Sequence, residues 1–306
     1  MNIFHKKDQY QGYNIYSMKK YVDKKRIIFT TIIVILIIIT LGFIIYYSVD
    51  TTIRLKSAKR FEQKLIEYES KQEELQKKER ERQAKIPKLT DEGKQNIKGI
   101  YKSETKRVFL TFDDGPSVNT ADVLDILKSN DIKATFFVLG TQVEKMPEMV
   151  KRAYQEGHYI ANHGYSHQYS QIYSSPETVL QEFNQCNSAV AKAIDVPEYN
   201  SHLFRFPGGS VGGKYANLKA EAVTLLEQNN IMHVDWNALT GDAEKSSPDE
   251  EYLMNNLQKT TQNKNSIVIL MHDAQAKRVT VEFLPKLIEF FQQQGYQFEN
   301  FYSIIK

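Results

Sequence analysis

The run IIFTTIIVILIIITLGFIIYY, from Ile27 to Tyr47, holds no charged residue, and an α-helix needs about 20 such residues to cross the hydrocarbon layer of a membrane. A segment so uniformly apolar has no polar face to give to water, so the rest of the chain must be organised around it. Lys19, Lys20, Lys24, Lys25 and Arg26 precede it, with only Asp23 opposing them nearby. The positive-inside rule then puts residues 1–26 in the cytoplasm and everything beyond Tyr47 outside. A cleaved signal peptide fits less well, because the apolar run exceeds an ordinary signal core and no small-x-small site follows it. The expectation is a single-pass anchor at 27–47 with a domain outside the cell membrane.

Residues 48–99 read as a helical stem and linker. Lys, Arg, Glu and Gln dominate up to residue 86, and Phe61, Leu65, Tyr68 and Leu75 fall at alternating spacings of four and three if Gln72 is counted in the seam. Such a short heptad pattern suits either a weak dimer through a coiled coil or a solvated helical spacer, and the spacer is the preferred expectation. Pro87, Asp91, Gly93 and Gly99 interrupt the helix, so a globular domain is expected over 100–306. The net charge of +3, with much of the excess near the amino end, gives no case for nucleic acid. Cys186 is the one cysteine; it cannot form an internal disulfide and is expected to be a buried, inert thiol in a helix.

Within 100–306, short β-branched or aromatic runs alternate with segments of helical periodicity. The runs are VFLTF, KATFFVLG, HYIAN, LFRFP, IMHVDWN and SIVILMH, and TADVLDILKSN and PEMVKRAYQEG are among the helical segments. Alternation of this kind predicts an α/β fold of parallel strands with crossover helices, either a doubly wound sheet or a barrel. Ligands in such folds gather at the carboxyl ends of the strands.

Chemistry-bearing residues stand at those ends. Asp113 and Asp114 close VFLTF and are followed by Gly115-Pro116. Taken alone, DDGP reads as a turn with Gly115 at positive φ. Successive strand side chains alternate faces, so the two carboxylates are expected to take different jobs unless a turn redirects one. His163 and His167 in HGYSH are four apart, a spacing that on a helical turn puts two imidazoles on one face. With a carboxylate from another strand end they make three ligands for a zinc ion. RFPGGS supplies Arg205, which can orient a carboxylate, and ILMHD supplies His272, which can donate a proton. IMHVDWN adds Asp235 and Trp236, the latter fit to wall a sugar site or to fill the core.

The ordered set TFDDGP, HxxxH, RxPxG, a DW segment and LMHD resembles the polysaccharide deacetylases of carbohydrate esterase family four, the NodB homology domain, over Ile100 to Lys306. The resemblance implies a distorted (β/α) barrel of about seven parallel strands, one divalent metal, and removal of acetyl groups from a polysaccharide. Zinc is the expected metal, with cobalt or another divalent ion as alternatives. It implies Asp113 as general base, Asp114, His163 and His167 as metal ligands, Arg205 as the partner that positions the base, and His272 as general acid. The backbone N–H of Gly208, where many relatives carry a tyrosine, is implied to hold the oxyanion, with Trp236 lining the substrate site.

Two departures from the family pattern stand out. Gly164 replaces a Ser or Thr and is expected to loosen its loop. Leu239 falls where the family has an aspartate that tunes the histidine acid, leaving Asp235 and Asp242 as candidates to substitute. The expected substrate is cell-wall polysaccharide, foremost the N-acetylglucosamine of peptidoglycan. The alternatives are an exopolysaccharide, chitin oligomers or xylan, or a weakly active wall-binding protein.

Overall fold

The computed structural model describes residues 15–305; the first part of the basic segment, residues 1–14, lies outside the described residues. The chain divides into two compact units between Lys78 and Glu79. The first is dominated by a single helix, α1, Ile15–Ala84. Along 27–47 it turns Ile28, Phe43 and Ile45 outward at about 60% exposure, and its most apolar stretch has a mean hydropathy of 3.1, so by length and composition it can cross a membrane. Past that stretch Arg54 pairs with Asp50 at 2.8 Å and Lys78 with Glu74 at 2.6 Å, each one helical turn apart, the kind of pair that supports a solvated helix. Phe61, Leu65, Tyr68 and Leu75 are exposed.

The second unit is a parallel sheet of eight strands: β1 Arg107–Asp113, β2 Thr135–Val138, β3 Tyr159–Asn162, β4 Leu203–Phe204, β5 Met232–His233, β6 Ala238–Leu239, β7 Ser266–His272 and β8 Gln297–Glu299. Seven run in the order β5-β4-β3-β2-β1-β7-β6, and β8 pairs with β1. β5 and β6, at the two ends of that order, do not pair, so the expected barrel is open, a half-barrel. β8 extends the sheet beside Arg107–Phe109, below the place where β2 pairs with Thr111–Asp113.

Why the sheet curls round a filled centre can be read from β1. Val108, Leu110 and Phe112 face an outer core with Val123, Leu127, Ile267 and Leu284. Phe109 faces an inner core with Phe137, Tyr159, Val268 and Phe301. Both faces being buried, Val108, Phe109, Leu110 and Phe112 form a near-continuous apolar run, as is usual for parallel strands. Period-two alternation then puts Thr111 and Asp113 on the inner face above Phe109.

The inner core also takes Ile97 and Ile100, and Ile86 joins the outer one. Residues read as linker therefore carry core side chains, and the compact unit starts at Glu79 rather than near residue 100. Helix Asp91–Lys98 is capped by Thr90, whose hydroxyl accepts from Gly93 N, so the linker is ordered by its own sequence. Cys186 is fully buried in helix Pro176–Ile194, and burial raises its thiol pKa beyond the physiological range.

Candidate active site

Strand register gathers the site. Asp113 at the end of β1 is the Cα partner of His272 at the end of β7. Asn162 at the end of β3 partners Phe204 at the end of β4, so His163 and Arg205 leave neighbouring strands together. Asp113, Asp114, His163, His167, Gly208, Trp236, Asp242 and His272 all line one cavity of about 360 Å³, with Tyr169 and Leu239. A larger groove of about 920 Å³ near the amino ends of β1 and β7, bordered by Lys106, Asn265 and Tyr296, has no such cluster.

The tandem aspartates part company through the backbone. Asp114 adopts φ 73°, a left-handed conformation that Asp tolerates better than most residues, and this turns its carboxylate from the outer face toward the cavity. The positive φ expected at Gly115 thus falls one residue earlier. Gly115 is demanded by space instead, since a Cβ there would lie 2.3 Å from both carboxylate oxygens of Asp273. Asp273 is buried under the turn and accepts from Thr120 Oγ1 at 2.5 Å; burial, against the pull of that hydrogen bond, pushes its pKa up to about 7.

His163 and His167 do not sit on a helical turn. They flank a loop in which Gly164 has φ 91° and His167 φ 58°. The loop is not loose: buried Glu182 accepts from Tyr165 N at 2.6 Å, Ser166 N at 2.7 Å and Ser166 Oγ at 2.7 Å. Gly164 therefore serves the left-handed turn.

Ligand atoms of Asp114, His163 and His167 lie within 4.8 Å of one another. His163 Nδ1 is 2.8 Å from the Arg205 carbonyl, which can only accept, so Nδ1 carries the proton. Burial, outweighing Asp114, lowers the His163 pKa to about 3, so the ring is neutral and its Nε2 presents a lone pair. That nitrogen stands 3.6 Å from Asp114 Oδ1 and His167 Nε2 stands 3.3 Å from it. Asp114 Oδ1 is buried without a hydrogen-bond partner. A lone pair facing a carboxylate oxygen is repulsive unless a cation lies between them, so the donor set fits a divalent metal.

On one flank, Arg205 Nη1 donates to Asp113 Oδ1 at 2.8 Å and to Thr111 Oγ1 at 2.7 Å, while Nε and Nη2 donate to the Val234 and Asp235 carbonyls. The guanidinium lies 3.9 Å from the Phe137 ring centroid. Both partners are buried. Burial pushes the Asp113 pKa upward against the pull of Arg205, yet Arg205 cannot lose its proton and needs a buried counter-charge. Asp113 is thereby an ionised carboxylate with a heightened appetite for a proton.

On the other flank, Asp242 Oδ1 is 3.0 Å from His272 Nδ1, and Oδ2 accepts from His272 N at 2.8 Å and Thr280 Oγ1 at 2.7 Å. Burial would lower the His272 pKa, but the hydrogen bond and charge of Asp242, with Asp113 and Asp114, raise it to about 9. Of the two carboxylates considered as partners of the histidine, Asp242 pairs with His272 and Asp235 does not. Asp235 accepts from Ser210 N at 2.9 Å and Ser210 Oγ at 2.5 Å, fixing the glycine turn. Leu239 lines the cavity without entering the pair.

Sequence reasoning gave no role to Thr111, Thr280, Asp273 or Tyr169. The first three are buried supports whose partners lie far off in the chain; Thr111 and Asp273 stood inside quoted motifs, Thr280 did not.

A profile of the polysaccharide deacetylase family matches residues 101–225. A putative polysaccharide deacetylase of Bacillus subtilis is 36% identical over 198 residues, 63% of this chain and 66% of that protein. A peptidoglycan-N-acetylglucosamine deacetylase of Bacillus cereus is 33% identical over 205 residues, 65% of this chain and 71% of the other. Among solved structures, a Streptococcus mutans CE4 esterase superposes with a TM-score of 0.63 at 29% identity, covering 71% of this chain and 93% of that one. The catalytic domain of a peptidoglycan N-acetylglucosamine deacetylase from Eubacterium rectale gives 0.60 at 31% identity, covering 65% and 90%.

Proposed function

Since the chain belongs to the polysaccharide deacetylase family, a family of hydrolases, we propose that it is a metal-dependent deacetylase that releases acetate from N-acetylglucosamine residues of peptidoglycan. The observation that carries this reading is the orphaned Asp114 Oδ1 between two imidazole nitrogens, flanked by a proton acceptor in Asp113 and a proton donor in His272. Asp114, His163 and His167 hold the cation, zinc in preference to cobalt or another divalent ion. When bound, it supplies Lewis acidity toward the acetyl carbonyl and lowers the pKa of the attacking water.

The chain's own residues carry the protons. Asp113, held on its Oδ1 side by Arg205, takes the proton of the water as it attacks the amide carbon. The Gly208 N–H, which has no protein acceptor among the described residues, donates to the oxygen as charge builds there. His272, its Nδ1 engaged by Asp242, presents Nε2 to the amide nitrogen and protonates the departing amine. Trp236 walls the sugar side of the cavity.

The apolar helix and the basic residues before it support an anchored protein, amino end cytoplasmic and catalytic unit outside, where peptidoglycan lies. Protease treatment of intact cells should remove the catalytic unit and spare the amino end.

Acetate release from peptidoglycan by the detergent-solubilised full chain, with and without chelator, tests the activity. Release that stops with chelator and returns with zinc supports it. Release from xylan or chitin oligomers but not peptidoglycan would redirect the substrate, and release from none of them despite bound metal would point to a wall-binding protein.

A further inference from the structure

Gly208 opens a space that another residue fills. With φ 74°, it would point a Cβ to within 2.6 Å of the Tyr169 hydroxyl, so the phenol oxygen crowds the space that a side chain at 208 would need. Tyr169 lines the same cavity as the metal-ligand set and the two proton-handling groups.

The ring rests against two aromatic neighbours. It meets His167 at 5.6 Å between centroids and 64°, and Tyr173 at 5.6 Å and 80°. Tyr173 in turn donates its hydroxyl to the Pro207 carbonyl at 2.6 Å, and the buried Lys219 ammonium donates to the Gly209 carbonyl at 2.7 Å. Through Tyr173 the phenol ring, 41% exposed, is connected to the glycine turn. Neither the Tyr169 hydroxyl nor the Gly208 N–H has a protein partner among the described residues. Two donors without a protein acceptor thus line the cavity that holds the three metal-ligand residues.

Resting on the deacetylase reading, we propose that Tyr169 is a catalytic residue whose neutral hydroxyl, beside the Gly208 N–H, donates a hydrogen bond to the acetyl oxygen as it becomes an oxyanion. A donor aimed at charge that develops only in the transition state acts on kcat more than on KM. A phenol at the start of the short helix Tyr169–Ile172 does so without a side chain on the glycine turn, where φ 74° disfavours one.

The test compares Tyr169→Phe and Tyr169→Ala with the parent full chain, following acetate release from peptidoglycan, metal content and melting temperature. The expected result is a kcat lower by about 10- to 100-fold in both variants, KM within about 3-fold, and metal content and melting temperature of the Phe variant unchanged. Equal losses in Phe and Ala mark the hydroxyl; a Phe variant matching the parent while only Ala falls makes the ring a packing element and overturns the proposal. A loss confined to KM overturns it as well. A parent that releases no acetate overturns the deacetylase reading and this one with it, whereas an active parent matched by the Phe variant overturns this one alone.

Discussion

Two buried carboxylates face each other across the cavity, and each is matched to a cation. Asp113 is paired with Arg205, Asp242 with His272. The partners differ in one respect that sets the rest. A guanidinium holds its charge at every pH the protein meets, whereas an imidazolium can give its proton away. The Arg205 pair therefore fixes a charge state, and in the proposed reaction Asp113 trades the proton. The His272 pair reverses the arrangement: there the carboxylate is fixed, its pKa lowered because hydrogen bonds from His272 and Thr280 outweigh burial, and the cation trades. In the proposed reaction one pair receives and the other delivers.

The largest effect should come from breaking the first pair. Asp113→Asn removes the proton acceptor and is expected to cut kcat by about 10³-fold or more while metal content stays at the parent level. Full activity in that variant would deny Asp113 its role. Arg205→Ala leaves a buried carboxylate unpaired and should cost about 3–5 kcal/mol of stability, read by urea denaturation, with activity lost at all pH values.

Breaking the second pair should be milder and dependent on pH. With His272 as acid, activity falls as pH rises through its pKa, about 9 in the parent. Asp242→Asn removes the main force raising that pKa, so the alkaline limb should move down toward the ordinary histidine range and kcat should drop by about 10- to 100-fold. A bound cation lowers the limb in both proteins and leaves their order unchanged. An unmoved limb in the variant would assign the acid to another group.

Stability should follow the same pair. The folded His272 pKa, about 9, lies above its ordinary 6.5, so its contribution is whole below 6.5 and vanishes as pH rises through about 9. In chelator-treated protein the penalty of Asp242→Asn, on the order of 2 kcal/mol near pH 6, should shrink near pH 10. A penalty independent of pH would mean that Asp242 acts through Thr280 and the backbone alone.

The smallest effect sharpens the contrast from outside the two pairs. Asp235→Asn loosens the Ser210 turn and should cost no more than about 1 kcal/mol, with no shift of the alkaline limb. A shifted limb would reopen the choice between Asp235 and Asp242.

Long strands were legible in the sequence because VFLTF and SIVILMH are apolar on both faces. The two-residue β6 and the partly exposed β8 carry no such pattern, and their place depends on pairing with β7 and β1. His163 and His167 were found by their spacing, but the reason offered for it, a helical turn, was not the one used; left-handed residues close the same gap. The choice of Asp242 over Asp235 depends on where a loop returns to the end of β7, which local pattern does not encode. Tyr169 was invisible for a related reason, since its meaning lies in the space that a distant glycine leaves open.

The left-handed backbone at Asp114 also bears on how such a protein can lose its trade. Most side chains at φ 73° would strain the turn, but asparagine rests there about as comfortably as aspartate. On the proposed reading Asp114→Asn removes a ligand charge, keeps the side chain's shape and asks nothing new of the backbone, and a single nucleotide change encodes it. This protein would then stand one substitution from an inactive scaffold that still folds.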